Sequence, residues 1–309
     1  MRQYKILLLA FIMSPGGQLF AQTGNAIPAW QTAAGGKMEL EVASIRLNPG
    51  KFVPPNFPIG NDDAYADTGG LMRGDFPLYA YITFAYKIRP SQSEREAILA
   101  HLPKWVSTDN YEIHAKAALP NPTKDQMRLM MQSLLRDRFG LVVHFETREA
   151  DVLAMTLTKP GRLGTNLHPH ADGPSCDVTA EGWVLSAKPN DAKIYPPTCY
   201  EYHGRSLPNH GMEWGMRNVT TALMAESFTG FASDDRPVVD ETGLVGRYDF
   251  VIDWTPEQNH TTADTLETSA PQGTAFMQAL QEQLGLKLKP AKAPLRELVV
   301  EQVARPSEN

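Results

Sequence analysis

The sequence predicts an α+β protein of two tandem homologous units, each with the order β-α-β-α-β-β. The first observation behind this prediction is a self-match: the segment that ends at Gly140 recurs, degenerate but in register, around Gly285. The offset is 285 − 140 = 145 residues, and similarity at a fixed offset indicates a duplicated unit. The other two observations are helical and strand periodicities that follow one another in each copy, and a glycine that ends the same helix in both.

Each copy contains a helical pattern followed by an alternating strand. From Leu78 to Tyr86 apolar side chains recur at i, i+3, i+4, i+7 and i+8, and a similar stripe runs from Leu223 to Phe231. Apolar and polar residues then alternate over 111–116 and 248–254, the period of a strand with one buried face. Tyr111 corresponds here to Tyr248, an offset of 137, so the second copy carries 145 − 137 = 8 additional residues, placed in an exposed loop within 255–274.

The second helix of each copy has recognisable ends. Thr123 and Gln126 have the spacing of a capping box, in which two side chains satisfy free backbone N–H groups at the helix start. Gly140 and Gly285 are expected to end the helices, because glycine enters the left-handed region at little cost. Two short apolar runs follow each glycine, 141–143 with 152–157 and 286–288 with 298–303, and they predict a β-hairpin. Alternation over 38–45 predicts an opening strand.

The N-terminus has the pattern of an export signal. Arg2 and Lys5 precede an apolar core over 6–13, and small residues lead to a cleavage site before Gln22. A membrane anchor is the alternative, but a span needs about 20 apolar residues. The predicted organisation is therefore a signal peptide at 1–21, a first repeat at 37–160, an irregular connector at 161–211 and a second repeat at 212–305. We expect the protein to be exported to the periplasm or the extracellular space, without a transmembrane segment in the mature chain.

Charge and cysteine content narrow the function classes. Removal of 1–21 changes the net charge from −6 to 27 − 35 = −8, which argues against nucleic-acid binding because that needs clustered Lys and Arg. Cys176 and Cys199 predict a disulfide in an oxidising compartment, whereas in the cytosol they would be two buried thiols. No CxxC spacing is present, which disfavours a redox-active pair.

Candidate site residues are few. No nucleophile elbow, zinc-binding HExxH helix, phosphate-binding loop or dinucleotide fingerprint occurs, and no cofactor is expected. His168, His170 and Asp172 form the best metal candidate, since imidazole and carboxylate ligate zinc or copper; a solvated loop is the alternative. The same region also contains Cys176, His203 and His210.

Three further groups of charged residues have structural and functional interpretations. Arg247 and Asp249 follow a turn that has two glycines, 242–246; this predicts a hairpin between 237–240 and 247–250, with Arg247 and Asp249 as candidate binding residues. The carboxylate pairs Asp62–Asp63 and Asp234–Asp235 are interpreted as solvated turns, with general acid–base chemistry as the alternative. Arg136 and Arg138 suit the C-terminal end of a helix, with an anion contact as the alternative.

Several long motifs resemble those of a large, paralogue-rich family of secreted proteins from soil bacteria, whose domain is labelled as of unknown function. They are LEVASIRLNP, DQMRLMMQSLLRDRFGLVVHFETRE, PVVDETGLVGRYDFVIDWTPE and the terminal PSEN. The resemblance covers residues 39–309; members usually have Thr where Val245 stands. The same domain occurs fused to membrane metallopeptidases of the beta-lactam-sensor type, which implies an extracytoplasmic sensing or binding role. No catalytic residue is carried over from the family.

The expected function is a non-catalytic binding or sensing module of the cell envelope, with an envelope protein as its partner. The alternative is an envelope hydrolase, metal-dependent in one version, with a site between the two repeats. The helix–glycine–hairpin order is also similar to that of the short N-terminal modules of secretins and TonB-dependent receptors, an analogy of fold only.

Overall fold

A computed structural model describes residues 27–65, 67–173, 176, 195–196, 198–207, 210–231, 235–255 and 274–306. The signal peptide expected at 1–21 and most of the loop expected at 255–274 lie outside these residues. The helices are α1 (Ala29–Ala33), α2 (Leu78–Tyr86), α3 (Gln92–Ala100), α4 (Trp105–Thr108), α5 (Lys124–Phe139), α6 (Thr221–Phe228) and α7 (Thr274–Ala279), which continues as a π-helical segment, Leu280–Leu284. The strands are β1 (Leu40–Leu47), β2 (Leu71–Pro77), β3 (Asn110–Ala117), β4 (Val142–Leu157), β5 (Leu167–Pro169), β6 (Tyr202–Ser206), β7 (Met212–Val219), β8 (Val238–Asp240), β9 (Tyr248–Trp254) and β10 (Leu286–Gln302).

The described strands form three sheets, and the α+β class is confirmed. One sheet has the order β1-β3-β2, a second has the order β5-β9-β7-β6, and β10-β4-β8 forms the third. All pairs are antiparallel except β4 with β8. Strands β5 and β6 lie within 161–211, the segment expected to be an irregular connector, so its described part contributes both edges of the second sheet.

Two separate hydrophobic cores lie on the helix-covered faces of the first two sheets. In the first core, alternate residues of β3 are buried, from Tyr111 to Ala117, against apolar side chains of α2 and α5. In the second, alternate residues of β9 from Tyr248 to Ile252 pack against α6 and the helix before Gly285. The predicted alternation and helical stripes are confirmed at these elements, because each apolar face does cover a core.

The predicted helix ends and opening strand are also confirmed. Thr123 and Gln126 form the complete capping box at the start of α5. Gly140 and Gly285 both adopt left-handed conformations, with φ of 56° and 68°. Strand β1 pairs with β3, and Arg136 and Arg138 lie in the last turn of α5.

The hairpins predicted after Gly140 and Gly285 are wrong. Each pair of apolar runs belongs to one continuous strand, β4 of 16 residues and β10 of 17. The two strands pair with each other from Leu157 opposite Leu286 to Val143 opposite Val300, and form a long ribbon. The physical reason is that each strand crosses from one core to the other, so its two apolar ends are buried in different places while its charged middle stays accessible.

The hairpin predicted across residues 237–250 is wrong as well. Strand β8 pairs in parallel with β4 on the ribbon, whereas β9 pairs with β5 and β7. The turn after Asp240 therefore passes the chain from one sheet to another. Within the described residues, no helix has both the length and the apolar character needed to cross a membrane.

Candidate ligand cleft and histidine–disulfide cluster

The disulfide between Cys176 and Cys199 is present, with the two Cα atoms 5.8 Å apart. His170 lies beside it: Nε2 is 3.4 Å from the Sγ atom of Cys176, and Nδ1 is 2.7 Å from Oδ1 of Asp249. The structure thus brings together three residues that the sequence had singled out separately, His170, Cys176 and Asp249. We call these residues, with Asn218 and Cys199, the histidine–disulfide cluster.

A β-bulge in β7 positions Asp249. The register of β7 with β9 shifts between Met216 and Val219, and Asn218 adopts a positive φ of 53°. This conformation directs the Asn218 N–H to Oδ1 of Asp249 at 2.8 Å, and the Asn218 side-chain amide lies 3.3 Å from the sulfur of Cys176. Gly173 leaves room for this carboxylate: a Cβ there would come within 2.6 Å of Oδ2 of Asp249, so the Asp249 side chain would have to shift. A bulge that re-aims side chains in this way is a common feature of functional sites.

The other predicted metal ligands do not join the cluster. His168 and Asp172 are exposed, on β5 and in the short helical turn after it. The potential ligand atoms that lie within 4.8 Å of one another belong to His170, Cys176 and Cys199, and both sulfurs are in the disulfide. His203 contacts Thr198 and Glu201 elsewhere in the same region.

Arg247 connects this cluster to the first half of the protein, by which we mean the β1-β3-β2 sheet with its core; the second half is the β5-β9-β7-β6 sheet with its core. Its guanidinium donates to the carbonyl of Asn218 at 2.5 Å and to Oδ2 of Asp63 at 3.1 Å. Asp63 also faces Lys87 at 3.5 Å, and Lys87 in turn pairs with Asp125 at 3.2 Å. Arg247 therefore has a structural role in joining two halves of the protein.

Behind Asp63 lies a buried ion-pair network. The Arg128 guanidinium, wholly buried, pairs with Asp125 and donates to the carbonyls of Asp62 at 2.7 Å and Gly60 at 3.3 Å. Buried Lys124 donates to Oδ1 of Asp62 at 2.7 Å. The interpretation of Asp62–Asp63 as a solvated turn is wrong, because these carboxylates bind cations from α2 and α5.

The network perturbs the acid–base properties of its members. Burial lowers the pKa of Lys124 to about 8, although the carboxylate of Asp62 opposes this shift. Burial by itself would raise the pKa of Asp63, but the charges of Lys87 and Arg247 outweigh it and hold that pKa below its ordinary value. Both pKa shifts are caused by the surrounding protein, through burial and through the charges of neighbouring side chains.

A cavity of about 780 Å³ lies between the two halves, beside the middle of the β4–β10 ribbon. Its walls come from the end of α2, from α3, α6 and β8, and its volume is in the range of small-molecule sites. The apolar side chains of the lining include Trp30, Tyr86, Ile88, Ile98, Phe145 and Leu295. We call this cavity the cleft; none of its residues was predicted to form a site.

Glu226 and Arg89 are the distinctive charges of the cleft. Within the described residues, neither side chain has a hydrogen-bond or ion-pair partner, and the Arg89 guanidinium lies over the ring of Tyr202 at 5.2 Å. Glu226 is accessible to the water in the cleft, yet protein surrounds it on several sides. This poor solvation raises the pKa of Glu226, although the charges of Arg89 and Lys87 act in the opposite direction.

The other charges that face the cleft are partnered. Arg148 pairs with Glu297 across the ribbon, and the Arg296 guanidinium lies 4.2 Å from the ring centre of Phe145. The carboxylate of Asp240 accepts hydrogen bonds from Thr242, through the N–H at 2.9 Å and the hydroxyl at 2.7 Å. Within the described residues, the Glu226 side chain forms no hydrogen bond or ion pair, and that of Arg89 has a ring contact with Tyr202 but no hydrogen bond or ion pair.

Helix α3 forms one wall of the cleft and is held from the opposite half. Both carboxylate oxygens of Asp235 accept from its first N–H groups, Oδ1 from Gln92 at 2.8 Å and Oδ2 from Ser93 at 2.5 Å. These bonds hold the pKa of Asp235 below its ordinary value, even though burial alone would raise it. Asp235 therefore caps a helix and does not solvate a turn as expected; Asp234 lies outside the described residues.

The described lining of the cleft lacks the side chains of a serine or cysteine catalytic triad. A serine or cysteine nucleophile bonded to a histidine is the arrangement expected of many hydrolases. Among the described residues that line the cleft there is no serine or cysteine, and the one histidine, His101, is exposed.

The profile of a protein family described as "Protein of unknown function (DUF3738)" matches residues 79–303, most of the chain. No curated protein and no solved structure is detectably similar to this chain.

Proposed function

We propose, from the premise that this chain belongs to that family of unknown function, that the protein is an exported, non-catalytic binding protein of the cell envelope. Its ligand would occupy the cleft between the two halves. The observation that carries the proposal is the pair of charges Glu226 and Arg89, whose side chains form no hydrogen bond or ion pair within the described part of the chain, in a cavity whose other walls are largely apolar.

The ligand class follows from the lining. Aromatic and aliphatic side chains such as Trp30, Phe145 and Ile98 favour an apolar body. Arg89 would bind an anionic group on it, and Glu226 a hydrogen-bond donor or a cation. The expected ligand is therefore a small amphipathic molecule with at least one charged group.

A fluorescent aromatic sulfonate, anilinonaphthalene sulfonate, tests this proposal because it combines an apolar body with one negative charge. The wild-type protein should bind one probe per chain. The substitution Ala222→Trp fills the cleft from α6 and should weaken binding by about tenfold or more. The matched control is Val245→Trp, at a site that is 91% exposed and outside the cleft. Equal affinity in the two variants would refute binding in the cleft.

We also propose that the two halves descend from one duplicated unit. The first two sheets support this, because β1-β3-β2 and β5-β9-β7 have matching orders. Tyr111 is the second residue of one central strand, and Tyr248 is the first residue of the other. Leu134 and Ala279 are buried in the first and second cores respectively. The similarity to secretin and TonB-receptor modules belongs to the same proposal, and an experimental structure of either half that fails to superpose on the other would contradict it.

Export to the periplasm or beyond is part of the proposal. The disulfide and the leader pattern at 1–21 support it. The intact mass of protein recovered from an envelope or culture fraction should correspond to a chain that begins at Gln22. Retention of Met1 in a cytosolic fraction would contradict export, and co-purification from such an envelope fraction would identify a partner protein there.

The alternative function is an envelope hydrolase that uses the cleft. It is favoured by Glu226, because an accessible carboxyl group with a raised pKa can act as a general acid or base. This alternative predicts slow turnover of ester or amide substrates that Glu226→Gln abolishes. A metal-dependent version through His168, His170 and Asp172 predicts bound zinc or copper, lost in a His168→Ala/His170→Ala variant.

A further inference from the structure

We propose that the Cys176–Cys199 disulfide is a thiol–disulfide exchange site in which Cys176 is the activated thiol. The inference rests on the histidine–disulfide cluster and is independent of the ligand cleft. Its partner would be a dithiol reductant of the envelope, and the site would make the bond reversible in a compartment where disulfides are usually permanent.

The two ring nitrogens of His170 contact different groups. Nδ1 lies 2.7 Å from the Asp249 carboxylate, and Nε2 lies 3.4 Å from the sulfur of Cys176. A carboxylate at Nδ1 fixes the ring so that Nε2 faces the sulfur, which is the order of groups in Cys-His catalytic sites. A protonated Nε2 can therefore stabilise a thiolate on Cys176.

A second hydrogen-bond donor contacts the sulfur of Cys176. The side-chain amide of Asn218 lies 3.3 Å from Sγ of Cys176, and its backbone N–H also holds Asp249 in place at 2.8 Å. Among the described residues, no such donor is recorded for the sulfur of Cys199. The two sulfurs are therefore unequal, and Cys176 is the one whose thiolate the protein stabilises.

His203, in the same region, has contacts that do not suit thiolate stabilisation. Its Nε2 contacts both the Thr198 hydroxyl, at 2.5 Å, and the carboxylate of Glu201, at 3.3 Å. Because one nitrogen meets both groups, the carboxylate cannot orient the ring for a proton transfer at the other nitrogen. His203 therefore provides a matched control for His170.

The exchange step follows from this asymmetry. A thiolate of the dithiol reductant attacks Sγ of Cys199, the S–S bond breaks, and its electron pair leaves on Cys176, where the protonated Nε2 of His170 stabilises it. The second thiol of the reductant then displaces Cys199 from the mixed disulfide. Overall two electrons and two protons pass from the dithiol to the two cysteines, and the reductant becomes a disulfide. Attack on this side is favoured because exchange is faster when the leaving thiol is more acidic.

Differential alkylation of the full mature chain tests the inference. The protein is reduced with dithiothreitol, freed of reductant and treated with limiting iodoacetamide at about pH 6, where only an activated thiol is substantially ionised, and labelling at each cysteine is measured by mass spectrometry. We expect Cys176 to be labelled at least about tenfold faster than Cys199. The preference should fall at about pH 9.5, because both thiols are then ionised.

Variants of His170, Asp249 and His203 distinguish a role in stabilising the Cys176 thiolate from a general effect on the structure. His170→Gln should reduce the labelling ratio to near unity at about pH 6, and Asp249→Asn should reduce it partly, because Asp249 acts through His170. His203→Gln should retain the wild-type ratio and its pH dependence. Equal labelling of the two cysteines in the wild-type protein, faster labelling of Cys199, or an unchanged ratio in His170→Gln would each overturn the inference. The wild-type measurement alone decides the question if a variant fails to fold.

Discussion

Two groups of charged side chains in this protein differ in how they are partnered. In the network around Asp62, Asp63 and Arg128, each charge meets an opposite charge or a backbone carbonyl, and several of the side chains are almost fully buried. In the cleft, Glu226 and Arg89 line an open cavity, and within the described residues neither forms an ion pair. The first group stabilises the joint between the halves, whereas the second is proposed to contact a ligand.

The comparison makes opposite predictions for removal of a charge. Loss of a partnered buried charge leaves an uncompensated one behind and destabilises the protein. Loss of a charge that has no ion-pair partner should change the free energy of unfolding little. It should change ligand affinity instead, because residues of binding sites commonly serve function at some expense in stability.

The largest expected effect is that of Arg128→Ala. It removes one of the two cationic partners of Asp125, leaves two backbone carbonyls without their donor, and should lower the free energy of unfolding by about 3–5 kcal/mol. Urea denaturation followed by circular dichroism measures this change. The control is Arg136→Ala on the same helix, an exposed pair with Asp137 that should change stability by about 0.5 kcal/mol or less. Similar effects for the two variants would remove the distinction on which the comparison depends.

Burial of Lys124 should make the free energy of unfolding depend on pH. Its pKa is about 8 in the folded chain against 10.5 ordinarily, so between these values the unfolded chain binds more protons than the folded one. Stability should therefore rise as the pH increases through this window, and fall as the pH decreases toward 8. Denaturation midpoints measured across the window should show the rise in wild type and lack it in Lys124→Met. A flat profile in wild type would contradict the burial of a charged Lys124.

Asp235 is an intermediate case, since it is accessible but bonded to the N-terminus of α3. Asp235→Ala should cost about 1 kcal/mol, the usual value of a helix cap. Because the pKa of Asp235 lies below the ordinary 3.8, its contribution is present above that pH and is lost as the pH falls through the folded value. A variant with wild-type stability at neutral pH would show that this contact does not hold the wall of the cleft.

The smallest effect on stability is expected for Glu226. Its raised pKa means that ionisation at neutral pH opposes folding, so Glu226→Gln should slightly raise the melting temperature at pH 7, with no gain near pH 4. The same variant should bind the anionic probe about threefold more tightly, and Arg89→Gln should bind it more weakly, because the two charges act oppositely on an anion. Changes in the same direction would show that the two side chains do not share a site.

The sequence predicted the local elements well, since their signals are local. The alternation around Tyr111 and Tyr248 and the caps at Thr123, Gly140 and Gly285 each depend on neighbouring residues, and the structure confirms them. The ribbon was missed because two apolar runs separated by charged residues look the same whether the chain turns back or continues into another core.

The sites were harder to predict for a related reason. His170, Cys176, Arg247 and Asp249 were all identified as candidates, but their grouping depends on the bulge at Asn218, which has no local sequence signature. The cleft draws its lining from segments between Pro28 and Val300, and no two of its charged residues form a motif.

A crystal structure of the protein with the aromatic sulfonate bound tests the central claim most directly. The account predicts density for the probe between α3, α6 and the ribbon, with its sulfonate near Arg89 and its rings against Phe145 and Ile98. Density on an exposed apolar surface, with the cleft holding only water, would contradict it.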